Sequence, residues 1–243
     1  MKGYVKKAEP SNSQQNKGME GRINSNIPQP GKGEAGAACP GYIHSHFSPS
    51  SRFFKRTFDI VVSIILLIVF SPLFLFCYIA VKIGGGPAIY RQERIGKGGK
   101  PFYIYKFRSM RTDAEKDGPQ LSAKLEEEQR LTKVGKFIRG HHLDELPQFW
   151  NVLKGDMSFI GPRPERKFYI DQIVELDPRY VCLYQIRPGV TSYATLYNGY
   201  TDTLEKMLKR LQYDLYYLEH GSFGFDLKIL FKTFISIVTG KKI

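Results

Sequence analysis

The run from Ile60 to Val81 constrains this chain more than any other stretch, because it holds no charged side chain and has Ser71-Pro72 at its centre. As one straight helix it would extend about 33 Å, enough to cross the hydrocarbon core of a bilayer. Proline at the middle removes a backbone hydrogen bond and kinks such a helix. Both flanks are basic, with Lys55 and Arg56 before the run and Lys82 after it. Basic flanks favour the cytoplasmic side, so both ends are expected on the same face. A break at Ser71-Pro72 yields two arms of roughly 16 Å each, which dip into one leaflet and return. The Ser71 hydroxyl is placed to satisfy a carbonyl that the proline frees. A kinked spanning helix is the alternative that the residues leave open.

Charge supports a membrane reading. The formal net charge is +13, which calls for an anionic partner. Between Ser51 and Arg108, ten Lys and Arg stand against Asp59 and Glu93, so +8 of that excess brackets the apolar run. A phospholipid surface therefore outranks nucleic acid, and no nucleic-acid partner is expected. Cys39, Cys77 and Cys182 are scattered without metal-ligand spacing, so neither a disulfide nor a zinc site follows, and reducing cytosol fits.

Residues 1–50 are rich in Gly, Ser, Asn, Gln and Pro and lack an early apolar segment. They are expected to form a disordered polar tail rather than a secretory signal, and His44 and His46 receive no role. The expected division is 1–50 tail, 51–83 membrane helix and 84–243 a folded unit that carries the remaining motifs.

Pro87 to Met110 reads as a β-hairpin around Gly96-Lys97-Gly98-Gly99-Lys100. The glycine cluster lacks the Gly-Lys-Ser/Thr ending of a phosphate loop. Arg111 to Leu131, with Glu126-Glu127-Glu128, reads as a polar excursion or solvated helix. Lys167 to Leu176 and Thr203 to His220 are helical by pattern, the second stopped by Gly221. Arg187 to Ser192 reads as a structured loop. Phe225 to Ile243 alternates Leu227, Leu230, Phe231, Phe234 and Val238 with Lys228 and Lys232, as an interfacial amphipathic helix or a core-packing terminal helix does.

The chemistry concentrates in Leu143-Asp144-Glu145-Leu146-Pro147-Gln148 and in Gly161-Pro162-Arg163-Pro164. Proline is tolerated in a first helical turn, which puts Asp144 and Glu145 at or beside a helix N-terminus, where anions are favoured. Adjacent carboxylates there often only cap the helix. Joined to an arginine fork, they become the parts of a phosphate-handling site. Spacing alone does not rank Asp144 above Glu145 as a nucleophile.

Six ordered motifs carry a resemblance: Lys55-Arg56-Thr57-Phe58-Asp59, the apolar run with Ser71-Pro72, Tyr90 to Gly96, Lys106-Phe107-Arg108-Ser109-Met110, the Asp144-Glu145 segment and Gly161 to Pro164. Together, over roughly residues 52 to 240, they resemble the monotopic phosphoglycosyl transferases, bacterial sugar transferases that start glycan assembly on a polyprenol carrier. The resemblance implies an α+β, mainly helical fold. Its parts are a re-entrant membrane helix, a small cytosolic catalytic unit with a β-hairpin, and interfacial helices on the cytoplasmic face of the bacterial inner membrane. It implies transfer of a sugar 1-phosphate from a UDP-sugar to undecaprenyl phosphate with release of UMP and a requirement for Mg²⁺. A homodimer is compatible with it. By position, Asp144 matches the nucleophile and metal contact and Glu145 its partner carboxylate. Arg139, Arg163 and Arg108, with Pro162 and Pro164, match the phosphate-binding surroundings, and Ser71 and Pro72 the membrane break. Two departures stand out: His141-His142 where a small polar pair is common, and Thr191-Ser192 in place of Thr-Gly. A non-catalytic membrane scaffold and a basic nucleic-acid binder are the competing classes, separable by UMP release and by salt-dependent binding.

Overall fold

The computed structural model describes residues 39–41, 43–114, 116, 129–198 and 201–239. Helices α1 (Pro49–Val69) and α2 (Ser71–Ile83) follow the apolar run and meet at a bend of 64°. Among the described residues no single helix is long and apolar enough to cross a membrane. At the break the Ser71 hydroxyl donates to the Ile68 carbonyl at 2.8 Å, the group that Pro72, lacking an N–H, cannot reach. Leu75, Phe76, Ile79 and Ile83 on α2, like Ile64, Ile65, Ile68 and Val69 on α1, remain exposed.

The two arms are fastened to the rest of the chain differently. On α1, Asp59 is buried and accepts from the Ser158 hydroxyl and the Phe159 N–H, both at 3.1 Å. Arg56 donates to the Val152 and Leu153 carbonyls, and Lys55 to the Ile160 carbonyl and Asp226. The basic-aromatic-acidic motif in the first half of α1 is thus its anchor. On α2, Cys77 and Val81 pack with Ala88, Phe107, Ile138 and Leu146.

The hairpin is β1 (Ile89–Ile95) paired antiparallel with β2 (Pro101–Phe107), Ile89 opposite Phe107 and Ile95 opposite Pro101. A short 3-10 turn over Lys97–Gly99 closes it, with Gly98 and Gly99 at positive φ. Then come α3 (Lys133–Gly140), α4 (Gln148–Lys154), β3 (Ser158–Ile160) and α5 (Lys167–Leu176). A 3-10 segment over Pro178–Gln185 leads to β4 (Gly189–Thr191), α6 (Tyr193–Asn198), α7 (Leu204–His220) and α8 (Phe223–Thr239). The fold is mainly helical, as expected. The stretch expected as a loop after Arg187 instead contains a strand, β4, parallel to β3. Three-residue strands are too short to show a period-2 pattern, so only the pairing reveals them.

Two expectations change in the N-terminal region. Residues 1–38 of the expected tail, and residues 115 and 117–128 of the expected polar excursion, lie outside the described residues. Within the described part, Ile43 and Phe47 are each 3% exposed and enter two different core clusters. The strap is held by backbone too: His46 N–H donates to the Leu218 carbonyl and Ser45 N–H to the Gln185 side chain. Cys39 is disulfide-bonded to Cys182, across 143 residues of sequence, which overturns the expectation of no disulfide. A pairing that distant leaves no local trace in the sequence.

Candidate active site

The segment between α3 and α4 makes two unusual backbone moves. His142 adopts the left-handed region at φ 57°, and Leu143–Glu145 then form one 3-10 turn. Pro147 caps α4 from just outside it. The dyad therefore lies ahead of a seven-residue helix, in its own turn, rather than in the helix's first turn. Leu143 and Leu146 pin that turn by packing against Phe107 of β2 and Cys77 and Val81 of α2. Asn151 of α4, fully buried, pairs its amide with the Tyr105 N–H and the Tyr103 carbonyl, locking α4 to the hairpin edge.

Asp144 and Glu145 point into different surroundings, as neighbours on a tight helical turn must. Asp144 is 6% exposed and makes no salt bridge among the described residues. Burial raises its pKa, and Glu145 adds to that, against the pull of Lys106, Arg139 and His142. Glu145 sits 2.7 Å from the Lys106 ammonium, with a side chain 24% exposed. Burial alone would raise this carboxyl, but Lys106 foremost, then Arg163 and His142, hold it down to about 2. At neutral pH Glu145 is a fixed anion paired to a lysine, while Asp144 is the more basic, unpaired carboxylate.

Arg163 projects into solvent between two buried prolines. Its loop is pinned on both sides: the Pro162 carbonyl accepts from the Gly189 N–H at 2.9 Å and the Pro164 carbonyl from Arg94 at 3.3 Å. A Cβ on Gly161 would lie 2.3 Å from the Arg187 carbonyl, so only glycine permits this approach. Pro162, Arg163 and Pro164 line a shallow concavity with Ile95, Gly96, Tyr180 and Tyr184. Behind it lies a buried charge cluster. Glu165 is bonded to Arg210 at 2.7 Å and Arg94 at 3.3 Å. Asp214, with an unpartnered Oδ1, is raised to about 7 by burial, against the pull of Arg210.

The structure brings Asp144, Glu145, Arg139 and Arg163 within one electrostatic neighbourhood. It places Arg108 elsewhere: the buried guanidinium donates to the Val81 and Gly85 carbonyls at the end of α2. Gly86, at φ 78°, makes room for it, since a Cβ there would collide with Arg108. Lys106 is the residue that sequence reasoning missed as a site member. Its signal was the strand alternation that buries Phe107 and so turns Lys106 the other way. Of the departures, His142 sits beside the dyad, whereas Ser192 is buried and accepts the Thr195 N–H at 3.0 Å, starting α6.

Residues 50–240 match the family described as bacterial sugar transferase. A UDP-N-acetylgalactosamine-undecaprenyl-phosphate N-acetylgalactosaminephosphotransferase of Aeromonas hydrophila is 42% identical over 194 residues, covering 79% of this chain and 45% of that protein. A UDP-glucose:undecaprenyl-phosphate glucose-1-phosphate transferase of Klebsiella pneumoniae is 48% identical over 183 residues, covering 74% and 39%. A protein of the same description from Caulobacter vibrioides is 40% identical over 188 residues, covering 76% and 70%. The chain spans less than half the length of the first two of these relatives. A match of this extent, falling on the residues that build the dyad, its lysine and the Pro-Arg-Pro loop, means that the chain belongs to the bacterial sugar transferase family, the phosphoglycosyl transferases.

Proposed function

We propose that the protein transfers a sugar 1-phosphate from a UDP-sugar to undecaprenyl phosphate at the cytoplasmic face of the bacterial inner membrane. The observation that carries this reading is the unlike pair at Asp144 and Glu145, one carboxylate paired to Lys106 and the other unpaired and raised by burial. An Asp144 oxygen attacks the β-phosphorus of the donor. The bond from that phosphorus to the bridging oxygen breaks, and UMP leaves with the electron pair. An oxygen of the lipid phosphate then attacks the same phosphorus and releases the Asp144 carboxylate. Poor solvation strengthens Asp144 as a nucleophile once ionised, and Lys106 and Arg139 favour its ionised form. Arg163 is positioned to take charge from the donor phosphates. The lipid acceptor stays in the bilayer, which the bent pair α1 and α2 would enter from one side.

Among the described residues no three His, Cys, Asp or Glu side chains gather as a metal cage. Mg²⁺ is commonly held by one or two carboxylates, substrate phosphates and water, so Asp144 fits this ion when the donor supplies the remaining oxygens. Bound there, it would spread the charge of the pyrophosphate.

The test incubates the full chain with UDP-sugar and Mg²⁺, omits the lipid acceptor, and maps peptides for a sugar-phosphate mass addition. The expected adduct is on Asp144. Asp144→Asn should abolish both adduct and UMP release, and Glu145→Gln should slow turnover while still trapping the adduct. An adduct on Glu145 would reverse the roles. No adduct, with sequential two-substrate kinetics, would replace the covalent route by direct attack of the lipid phosphate. The relatives act on UDP-glucose and UDP-N-acetylgalactosamine, so those two donors head the panel.

A further inference from the structure

A second concavity lies between α6, α7 and α8 and takes no part in the chemistry above. Its aromatic wall is Tyr193, Tyr197, Tyr216 and Phe225, and its rim carries Lys228 and Lys232. Tyr193 stacks on Tyr216 with ring centroids 5.4 Å apart. Lys232 is already aimed: its ammonium donates to the Tyr197 hydroxyl at 2.9 Å and stands 5.5 Å from the Tyr197 ring centroid. Lys228, one helical turn earlier, makes no salt bridge among the described residues. Among the described residues no carboxylate lines the concavity. The acidic residue of α8, Asp226, is turned into the core against Lys55 and Tyr217. Two lysines without a counter-charge, over an aromatic floor, form a site for an anion attached to an apolar body.

The neighbouring face of the same helix says which anion. Leu227, Phe231, Phe234 and Ile237 recur along α8 and are exposed, Phe231 to 66% and Phe234 to 64%. An apolar stripe beside basic residues is the pattern of a helix lying in a membrane interface, and tyrosines concentrate at that depth. We propose that the α6–α7–α8 concavity binds the phosphodiester headgroup of an anionic phospholipid, Lys228 and Lys232 holding the phosphate while the apolar face of α8 meets the acyl chains. The proposal rests on the reading that the bent helix pair sits in a leaflet, but its test needs no turnover.

The full chain, purified in detergent, is titrated with dioctanoyl phosphatidylglycerol and with dioctanoyl phosphatidylcholine, without UDP-sugar. Lys228→Gln combined with Lys232→Gln should weaken phosphatidylglycerol binding about 25-fold, from roughly fivefold per lysine at a lipid phosphate. Phosphatidylcholine binding should not change. Tyr197→Phe keeps the ring but removes the hydroxyl that aims Lys232, and should give a smaller loss with the helical circular dichroism intact. Lys209→Gln, on exposed α7 surface outside the concavity, should have no effect. Equal affinity in the double variant, or an equal loss from Lys209→Gln, would overturn the site. Displacement of phosphatidylglycerol by millimolar inorganic phosphate would overturn the lipid assignment in favour of a free anion. Displacement by undecaprenyl phosphate, with acceptor affinity lost in the same double variant, would assign the concavity to the acceptor instead.

Discussion

Replacing Lys106 by Met tests the electrostatic division of labour in the dyad, because it removes the charge and keeps most of the side-chain volume. The Lys106–Glu145 contact is 2.7 Å, with both side chains less than a quarter exposed. The fall of the Glu145 carboxyl from its ordinary 4.5 to about 2 corresponds to about 3 kcal/mol, since each pH unit is worth about 1.4 kcal/mol. Lys106 is the largest favourable contributor, ahead of Arg163 and His142. Losing one hydrogen bond to a charged group costs about 1.5–3 kcal/mol, so kcat/KM for UMP release should fall by about tenfold or more if that bond is kept in the transition state. The direction with pH follows from the sign of the shift. Because the folded value is depressed, Glu145 contributes stability that is fully present above 4.5 and lost as pH falls toward about 2. Without Lys106 the pull against burial weakens and the carboxyl rises, so the acid limb of the rate profile moves to higher pH and the stability that Glu145 contributes at neutral pH shrinks. Initial rates and thermal midpoints, each followed through the acidic range, measure the two effects. Lys106→Arg should retain most activity. A Lys106→Met enzyme with wild-type rate and an unmoved acid limb would refute the assignment of Lys106 to the site.

Three further outcomes are expected. Ser71→Ala removes the hydroxyl bond to the Ile68 carbonyl and should cost about 1 kcal/mol, while Pro72→Ala restores a donor there and should open the 64° bend; accessibility of single cysteines near Ser50 and Gly98 to an impermeant thiol reagent in cells reports the straightening. Starting the chain at Ser50 deletes Ile43 and Phe47, whose loss should cost several kcal/mol in thermal or denaturant unfolding, whereas a chain starting at Cys39 keeps them. Asp214→Asn should stabilise the protein above neutral pH: its folded value of about 7 lies above the ordinary 3.8, so wild-type stability falls as pH rises between those values, and thermal midpoints of the variant should fall less than those of the wild type across that window.

Much of the local structure was legible in the chain because it depends on short-range rules. Period and stop signals placed α5 at Lys167–Leu176 and α7 at Leu204–His220, the second ending at Gly221. Strand-forming residues around a glycine turn gave the hairpin with its ends nearly in place. The charge-free run and its Ser-Pro break already contained the two arms, since proline cannot complete the helical bond there whatever surrounds it. The dyad and the Pro-Arg-Pro loop stood out as chemistry for the same reason: carboxylates and a guanidinium declare themselves by type.

What the tertiary structure alone decided is how those groups differ from one another. Adjacent Asp144 and Glu145 are indistinguishable in sequence, and only burial and the approach of Lys106 from a distant strand made one paired and the other unpaired. Arg108 matched a phosphate-binding position, yet its guanidinium fills the space beside Gly86 at the end of α2. Cys39 and Cys182 meet across 143 residues, and a segment of tail-like composition buries Ile43 and Phe47 because a groove awaits them. Each of these is a contact between residues far apart in the chain. Residue types and their spacing fix what a side chain can do, but charge state, burial and partnership belong to the folded neighbourhood, and the sequence determines that neighbourhood only through the whole fold.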